Sequence, residues 1–212
     1  MTKYGKITAG LLVVWFAAVF SGSAVHLFVN KSARFGVGIA VAAAAPMIVF
    51  SLWFAASEGF RNFALSLNPR VLTSVQLGRI VGFTFVLLEA RNVLPAIFAM
   101  AAGYGDMFIG ATAGFAAWKL AEPAHRNGFI FWQALGILDL ISAVGLGTTA
   151  GLIDPRGPSM GAMTVLPLSL IPTFFVPLFM MLHVICIAQA RSWKAASQVR
   201  RHAAGPLQHP AI

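Results

Sequence analysis

Six stretches of mostly apolar residues fill most of this chain, each close to the roughly 20 residues that a membrane-spanning helix needs. They run over Ile7–Val29, Phe35–Ala56, Val71–Leu94, Pro95–Trp118, Gly128–Ile153 and Leu166–Ala190. Backbone polar groups inside hydrocarbon must be satisfied within the protein, so such stretches are helices or strands of a closed barrel. None of the six alternates apolar and polar residues as a barrel strand does. The pattern therefore predicts an all-α polytopic membrane protein. A single domain over residues 1–190 would hold six transmembrane helices, and residues 191–212 would form a basic cytoplasmic tail.

Composition agrees with that reading. Hydrophobic residues make up 58% of the chain and charged ones 10%, where a soluble domain carries roughly a quarter charged residues. These values exclude an ordinary water-soluble enzyme, a disordered tail and a coiled coil. One Cys excludes a disulfide framework and a multi-thiolate metal site. The net charge of +9 comes from 15 Lys and Arg against 6 Asp and Glu. The basic residues lie between the apolar stretches and in the tail, with no nucleic-acid-binding motif. The expected partner is the lipid bilayer, with a homodimer or a larger membrane complex as further candidates, and no nucleic acid.

The same residues set an orientation. With the N-terminus inside, the inner segments hold Lys3, Lys6, Arg61, Arg70, Lys119, Arg126, Arg191, Lys194, Arg200 and Arg201. The outer segments hold only Lys31, Arg34 and Arg156. This bias places both termini in the cytoplasm and the chain in the cell (inner) membrane. Trp53, Trp118, Trp132 and Trp193 fall at inner span ends, where an aromatic belt lies, and only Trp15 is deep. A competing feature sits at the start. Lys3 and Lys6 precede an apolar run with the small residues Gly22-Ser23-Ala24, the outline of a cleavable signal peptide. The run continues to Val29, which favours a retained span. Between the second and third spans, Ser57–Arg70 reads as an interfacial stretch ended by Asn68-Pro69.

Candidate chemistry rests on the few ionisable residues at membrane depth, which must pair or face a cavity. At ~1.5 Å per residue, Arg79 lies about 12 Å from the inner edge, Asp139 about 16 Å and Asp106 about 18 Å. The three can meet, because an Arg side chain reaches several Å along the membrane normal. One guanidinium neutralises one carboxylate, leaving the second with a proton to give or take. Asp106, Asp139 and Arg79 are thus the candidate substrate- or proton-binding residues. Structural glue is the plainer role for the same three. Gly103-Tyr104-Gly105-Asp106 predicts a broken helix whose freed backbone groups line a cavity. Alternatively, Gly103, Gly110 and Gly114 simply let helices approach closely. Glu89, Arg91 and Tyr104 are candidates for the mouth of that cavity. Glu89 and Arg91 do not share a helix face, and headgroup anchoring is their simpler use.

His26 and His183 raise haem binding, but their depths, about 28 Å and about 10 Å from the inner edge, do not suit one iron. Hydrogen bonding to neighbouring helices is the simpler role for both. Cys186, alone in an apolar run, reads as a packing residue. No hydrolase elbow, zincin pair, P-loop or dinucleotide fingerprint is present. Pro167, Pro172 and Pro177 should kink the last span. The leading expectation is a proton- or cation-coupled transporter of a small solute. The alternatives are a non-catalytic accessory or scaffold subunit of a membrane complex, and a haem-binding or redox membrane protein.

Overall fold

The computed structural model describes residues 2–29 and 37–203. Among them there is no strand, and six helical rods are long and apolar enough to cross a membrane. By length and composition these rods suggest a multi-pass membrane protein. In order they are α1 (Lys3–Ala24), α2 (Val37–Ala56), a composite rod over Pro69–Glu89, a rod over Ala96–Leu120, one over Pro123–Ile153 and one starting at Ile171. A short helix, α3 (Glu58–Ser66), joins α2 to the composite rod. The Lys31 and Arg34 connection and the last residues of the tail lie outside the described residues.

The composite rod has three parts: α4 (Pro69–Ser74), a 3-10 segment over Val75–Gly82, and α5 (Phe83–Glu89). Eight residues is long for a 3-10 run. The sequence supplies a reason. Thr73, Gln76, Arg79, Gly82 and Phe85 are all buried, at a strict spacing of three, while Val75, Leu77, Ile80 and Val81 are exposed. A helix with three residues per turn stacks that series on one line, whereas α geometry would fan it around the rod.

The fourth rod is α6 (Ala96–Phe115), which ends in a π turn over Ala116–Leu120. The expected break at Gly103–Asp106 is absent: α6 runs through it, and the backbone irregularity lies in the neighbouring 3-10 segment instead. Gly103 and Gly110 do mediate close approach. A Cβ on Gly103 would lie 2.8 Å from Val86 Cγ2. Gly114 does not, for a Cβ there would meet nothing within 4 Å. The fifth rod is α7 (Arg126–Ile153). The last opens with a π turn over Ile171–Phe175 and continues as α8 (Val176–Ala203). Its helix therefore starts five residues later than the apolar run and continues past Ala190. Pro167 lies in the turns before it, and Pro172 sits near the start of the π turn, where a missing N–H is tolerated.

Two helix ends fall earlier than the apolar runs suggest, for one shared reason. His26 and Asn92 adopt left-handed backbone, with φ of 58° and 56°. At the first, Leu27 N–H donates to Gly22 O and His26 N–H to Ser23 O. At the second, Val93 N–H donates to Leu88 O and Asn92 N–H to Glu89 O. Both are Schellman stops, which satisfy the carbonyls a helix end leaves unpaired. The Gly22–Ala24 segment is the last turn of α1, where buried Ser23 accepts a 2.9 Å bond from Ser169.

The composite rod, α6, α7 and α8 pack on one another, with α1 and α2 peripheral. Apolar clusters cap the packed region at both ends. One contains Phe85, Phe98, Met160 and Met163, the other Leu72, Phe129, Ile185 and Ala190. Gln189 and Arg61 tie the periphery on: Gln189 Nε2 donates to Leu67 O at 2.7 Å, and Arg61 Nη1 to Ala55 O at 3.2 Å. The polar residues at the centre of the bundle lie between the two clusters.

Candidate functional site

Arg79 is the centre of that polar region. It projects from the 3-10 segment, is 2% exposed, and contacts three other rods. Its Nε donates to Asp106 Oδ1 of α6 at 2.6 Å. Its Nη2 donates to Asp139 Oδ2 of α7. Its Nη1 lies 3.4 Å from the Gly136 carbonyl and 3.3 Å from His183 Nε2 of α8. These contacts engage a group with five N–H donors, in a setting where an unpaired charge is costly. The structure thus brings together the three residues singled out from depth alone.

Missing side chains make the convergence sterically feasible. A Cβ on Gly82 would collide with Asp106 and lie 3.1 Å from Gly103 O. A Cβ on Gly110 would lie 2.9 Å from Ile80 Cα and 3.0 Å from the Arg79 carbonyl carbon. One on Gly136 would enter the His183 ring, and one on Gly105 would strike the Asp139 carboxylate. Small residues of this kind are how apolar helices bring their backbones together where no hydrophobic force separates protein from lipid.

Behind Arg79 runs a buried polar chain that the sequence reading missed. His183 Nδ1 bonds Gln133 Oε1, Gln133 Nε2 donates to Thr73 Oγ1 at 3.0 Å, and Thr73 Oγ1 lies 3.8 Å from Cys186 Sγ. The directions fix the tautomer. A guanidinium only donates, so His183 Nε2 accepts; Gln133 Oε1 only accepts, so Nδ1 carries the proton. His183 is therefore neutral. Two signals pointed to this chain: the estimated depth of His183 matched that of Arg79, and Thr73 stands two three-residue steps before it. The expectation that His183 hydrogen-bonds a neighbouring helix holds. His26, by contrast, lies past the end of α1 and is exposed, not within a span. Both ring nitrogens of His183 are engaged by protein groups, and no cluster of three metal-ligating side chains occurs among the described residues.

A cavity of about 330 Å³ adjoins the triad. Arg79, Asp106, Phe85, Leu140, Phe175 and Phe179 line it among others. A smaller recess shares Phe85, Asp106 and Leu140 and continues to Met160 and Met163. Asp139 lines neither. The expected cavity-mouth residues are also elsewhere. Tyr104 is exposed on α6, Glu89 is half-buried at the end of α5, and Arg91 is exposed in the capping turn. None of the three lines either space: Glu89 is the last residue of the rod and Arg91 lies in the turn that stops it. Each carboxylate meets Arg79 through one oxygen. Asp106 Oδ2 and Asp139 Oδ1 have no protein donor among the described residues.

Residues 34–191 match the model of a protein family, the domain of unknown function DUF8737. The chain belongs to that family. No curated protein and no solved structure matches it.

Proposed function

We propose that the protein is a proton- or cation-coupled transporter of a small solute. It would reside in the cell (inner) membrane, with both termini in the cytoplasm. One observation carries the reading: two carboxylates share one buried guanidinium, each through a single oxygen, beside a cavity. Three charges arranged so carry one more negative than positive charge when both acids are ionised. A proton or a cation at the spare oxygens restores balance, which links occupancy of the site to charge. Asp106 reaches the cavity and Asp139 does not, so Asp106 is the group that meets solute and Asp139 the group that holds the proton.

The test uses the full chain in vesicles loaded with a pH-sensitive dye under an imposed pH gradient. A panel of inorganic cations and small neutral, anionic and cationic solutes is added in turn. Solute-driven proton movement in the wild type that disappears in Asp139→Asn supports the assignment; equal movement in the variant refutes it. Orientation is tested separately. Thr2→Cys in a Cys186→Ala background should resist an impermeant maleimide applied to the outside of intact cells.

The second reading is a non-catalytic accessory subunit. Arg79 favours it in one respect, since its bonds join the 3-10 segment to α6, α7 and α8 and so hold the bundle together. On that reading Asp106→Asn and Asp139→Asn lower stability, and no solute moves protons in the wild type.

A further inference from the structure

The cavity beside Asp106 restricts the chemistry of an occupant. Its lining is almost wholly apolar. Phe85, Phe175 and Phe179 supply aromatic surface, with Leu140 and Val176 between them. Arg79 and Asp106 are the only charged or hydrogen-bonding side chains in that lining. Arg79 commits four of its five N–H groups to the two carboxylates, the Gly136 carbonyl and His183, and its side chain is fully buried. Asp106, bonded through Oδ1 only, is the side chain in the lining with an acceptor left for a ligand. With His183 neutral, the arginine and two aspartates leave one negative charge unmatched.

These features exclude several occupants. An anion would meet that unmatched negative charge with no free cation to offset it. A polyol or sugar would need several donors and acceptors, and the apolar walls offer none. A small inorganic cation sheds its water only for several oxygen ligands, and one carboxylate oxygen does not replace them. A cation that carries its own apolar body needs only a single counter-charge and aromatic walls, which attract it through their π faces. The volume lies within the range of small-molecule sites. Gly78 and Val81, both in the lining, are exposed on the flank of the bundle, so the cavity reaches the apolar surface from which such a ligand would enter.

We propose that this cavity binds a small hydrophobic organic ammonium ion, with Asp106 as its counter-ion and Phe85, Phe175 and Phe179 as its aromatic wall. Its biological meaning rests on the transporter reading above, of which it names the solute class. Binding of the cation at Asp106 satisfies the same charge as a proton, so the two exclude one another.

The probe is radiolabelled benzyltrimethylammonium bound to the immobilised full chain, with competition by unlabelled compounds. Saturable binding is expected, with the neutral isostere neopentylbenzene and the anion benzenesulfonate each competing at least about tenfold more weakly than the unlabelled cation. Asp106→Asn should weaken binding by about tenfold or more. Val81→Trp, at an exposed position in the lining whose side chain takes no part in the bonds of the triad, should block the cavity and abolish binding while the protein stays monodisperse. No saturable binding by the wild type, equal competition by the neutral isostere, or full binding by a monodisperse Val81→Trp protein would each overturn the proposal. The two readings fail separately. A chain that moves protons in the vesicle assay without binding the cation loses this inference and keeps the transporter. A chain that binds the cation and moves no protons keeps the inference and loses the transporter.

Discussion

His183 Nε2 accepts from Arg79 Nη1 at 3.3 Å, while the opposite ring nitrogen donates to Gln133. The imidazole is a rigid spacer between α7 and the 3-10 segment, fully buried and neutral. His183→Ala removes both partners at once and leaves Gln133 Oε1 and one guanidinium N–H without their bonds. Each stranded buried group costs about 1–3 kcal/mol. For two such groups a loss of roughly 2–6 kcal/mol is expected. Denaturant titration in mixed micelles, followed by tryptophan fluorescence, reads it. An unchanged midpoint would show that the ring carries no structural weight.

Arg79 should prove more sensitive still. Arg79→Met leaves two aspartates facing each other with no counter-charge, and breaking a buried ion pair in this way costs about 3–5 kcal/mol. The penalty belongs to the stranded acids more than to the missing arginine. A triple variant, Arg79→Met with Asp106→Asn and Asp139→Asn, should therefore be more stable than Arg79→Met alone. The same denaturant titration compares the two proteins. If the triple variant is the weaker, the bonds of Arg79 outweigh the repulsion between the acids.

Much of this arrangement is legible in the sequence. The six apolar runs gave the six rods, and depth arithmetic alone placed Arg79, Asp106 and Asp139 within reach of one another. What failed was the location of the irregular backbone. Gly103, Gly105 and Gly110 look like helix breakers in a list of residues, yet in α6 Gly103 and Gly110 are contact points for a neighbouring backbone and Gly105 makes room for the Asp139 carboxylate. The distorted element is instead Val75–Gly82, which contains only two glycines. Its signal was a period of three through Thr73, Gln76, Arg79, Gly82 and Phe85, visible only when polar and apolar residues are counted together as one buried face. Hydropathy hid it, because three members of that series are polar. Gln133 was overlooked for the same reason: a buried amide among apolar neighbours has no motif, and only its partners reveal it.

The two Schellman stops make a separate prediction. His26 and Asn92 hold φ values of 58° and 56°, which residues bearing a side chain adopt at a cost and glycine adopts freely. His26→Gly and Asn92→Gly should each leave stability unchanged or raise it, by up to about 1 kcal/mol. The measurement is thermal unfolding of the purified protein. For His26 the outcome also bears on cofactor binding. A clear fall in melting temperature on His26→Gly would mean that the imidazole has a ligand or partner beyond its capping role.

The last prediction contrasts two glycines four residues apart on α6. A Cβ at Gly110 would lie 2.9 Å from Ile80 Cα and 3.0 Å from the Arg79 carbonyl carbon. Both are backbone atoms, which cannot swing aside as a side chain can, so the 3-10 segment must move off α6. That shift carries Arg79 with it and lengthens its bond to Asp106. At Gly114 an added methyl meets nothing within 4 Å, and alanine gains about 1 kcal/mol of helix propensity. Gly110→Ala should therefore cost roughly 1–3 kcal/mol, in the range of overpacked cores. Gly114→Ala should be neutral or mildly stabilising. Unfolding midpoints for the pair test the packing. The vesicle assay tests what the packing is for, because a displaced Arg79 should depress proton movement in Gly110→Ala under conditions where the protein remains folded. If Gly110→Ala matches Gly114→Ala in both measurements, the close approach of α6 to the 3-10 segment is not what holds the triad together.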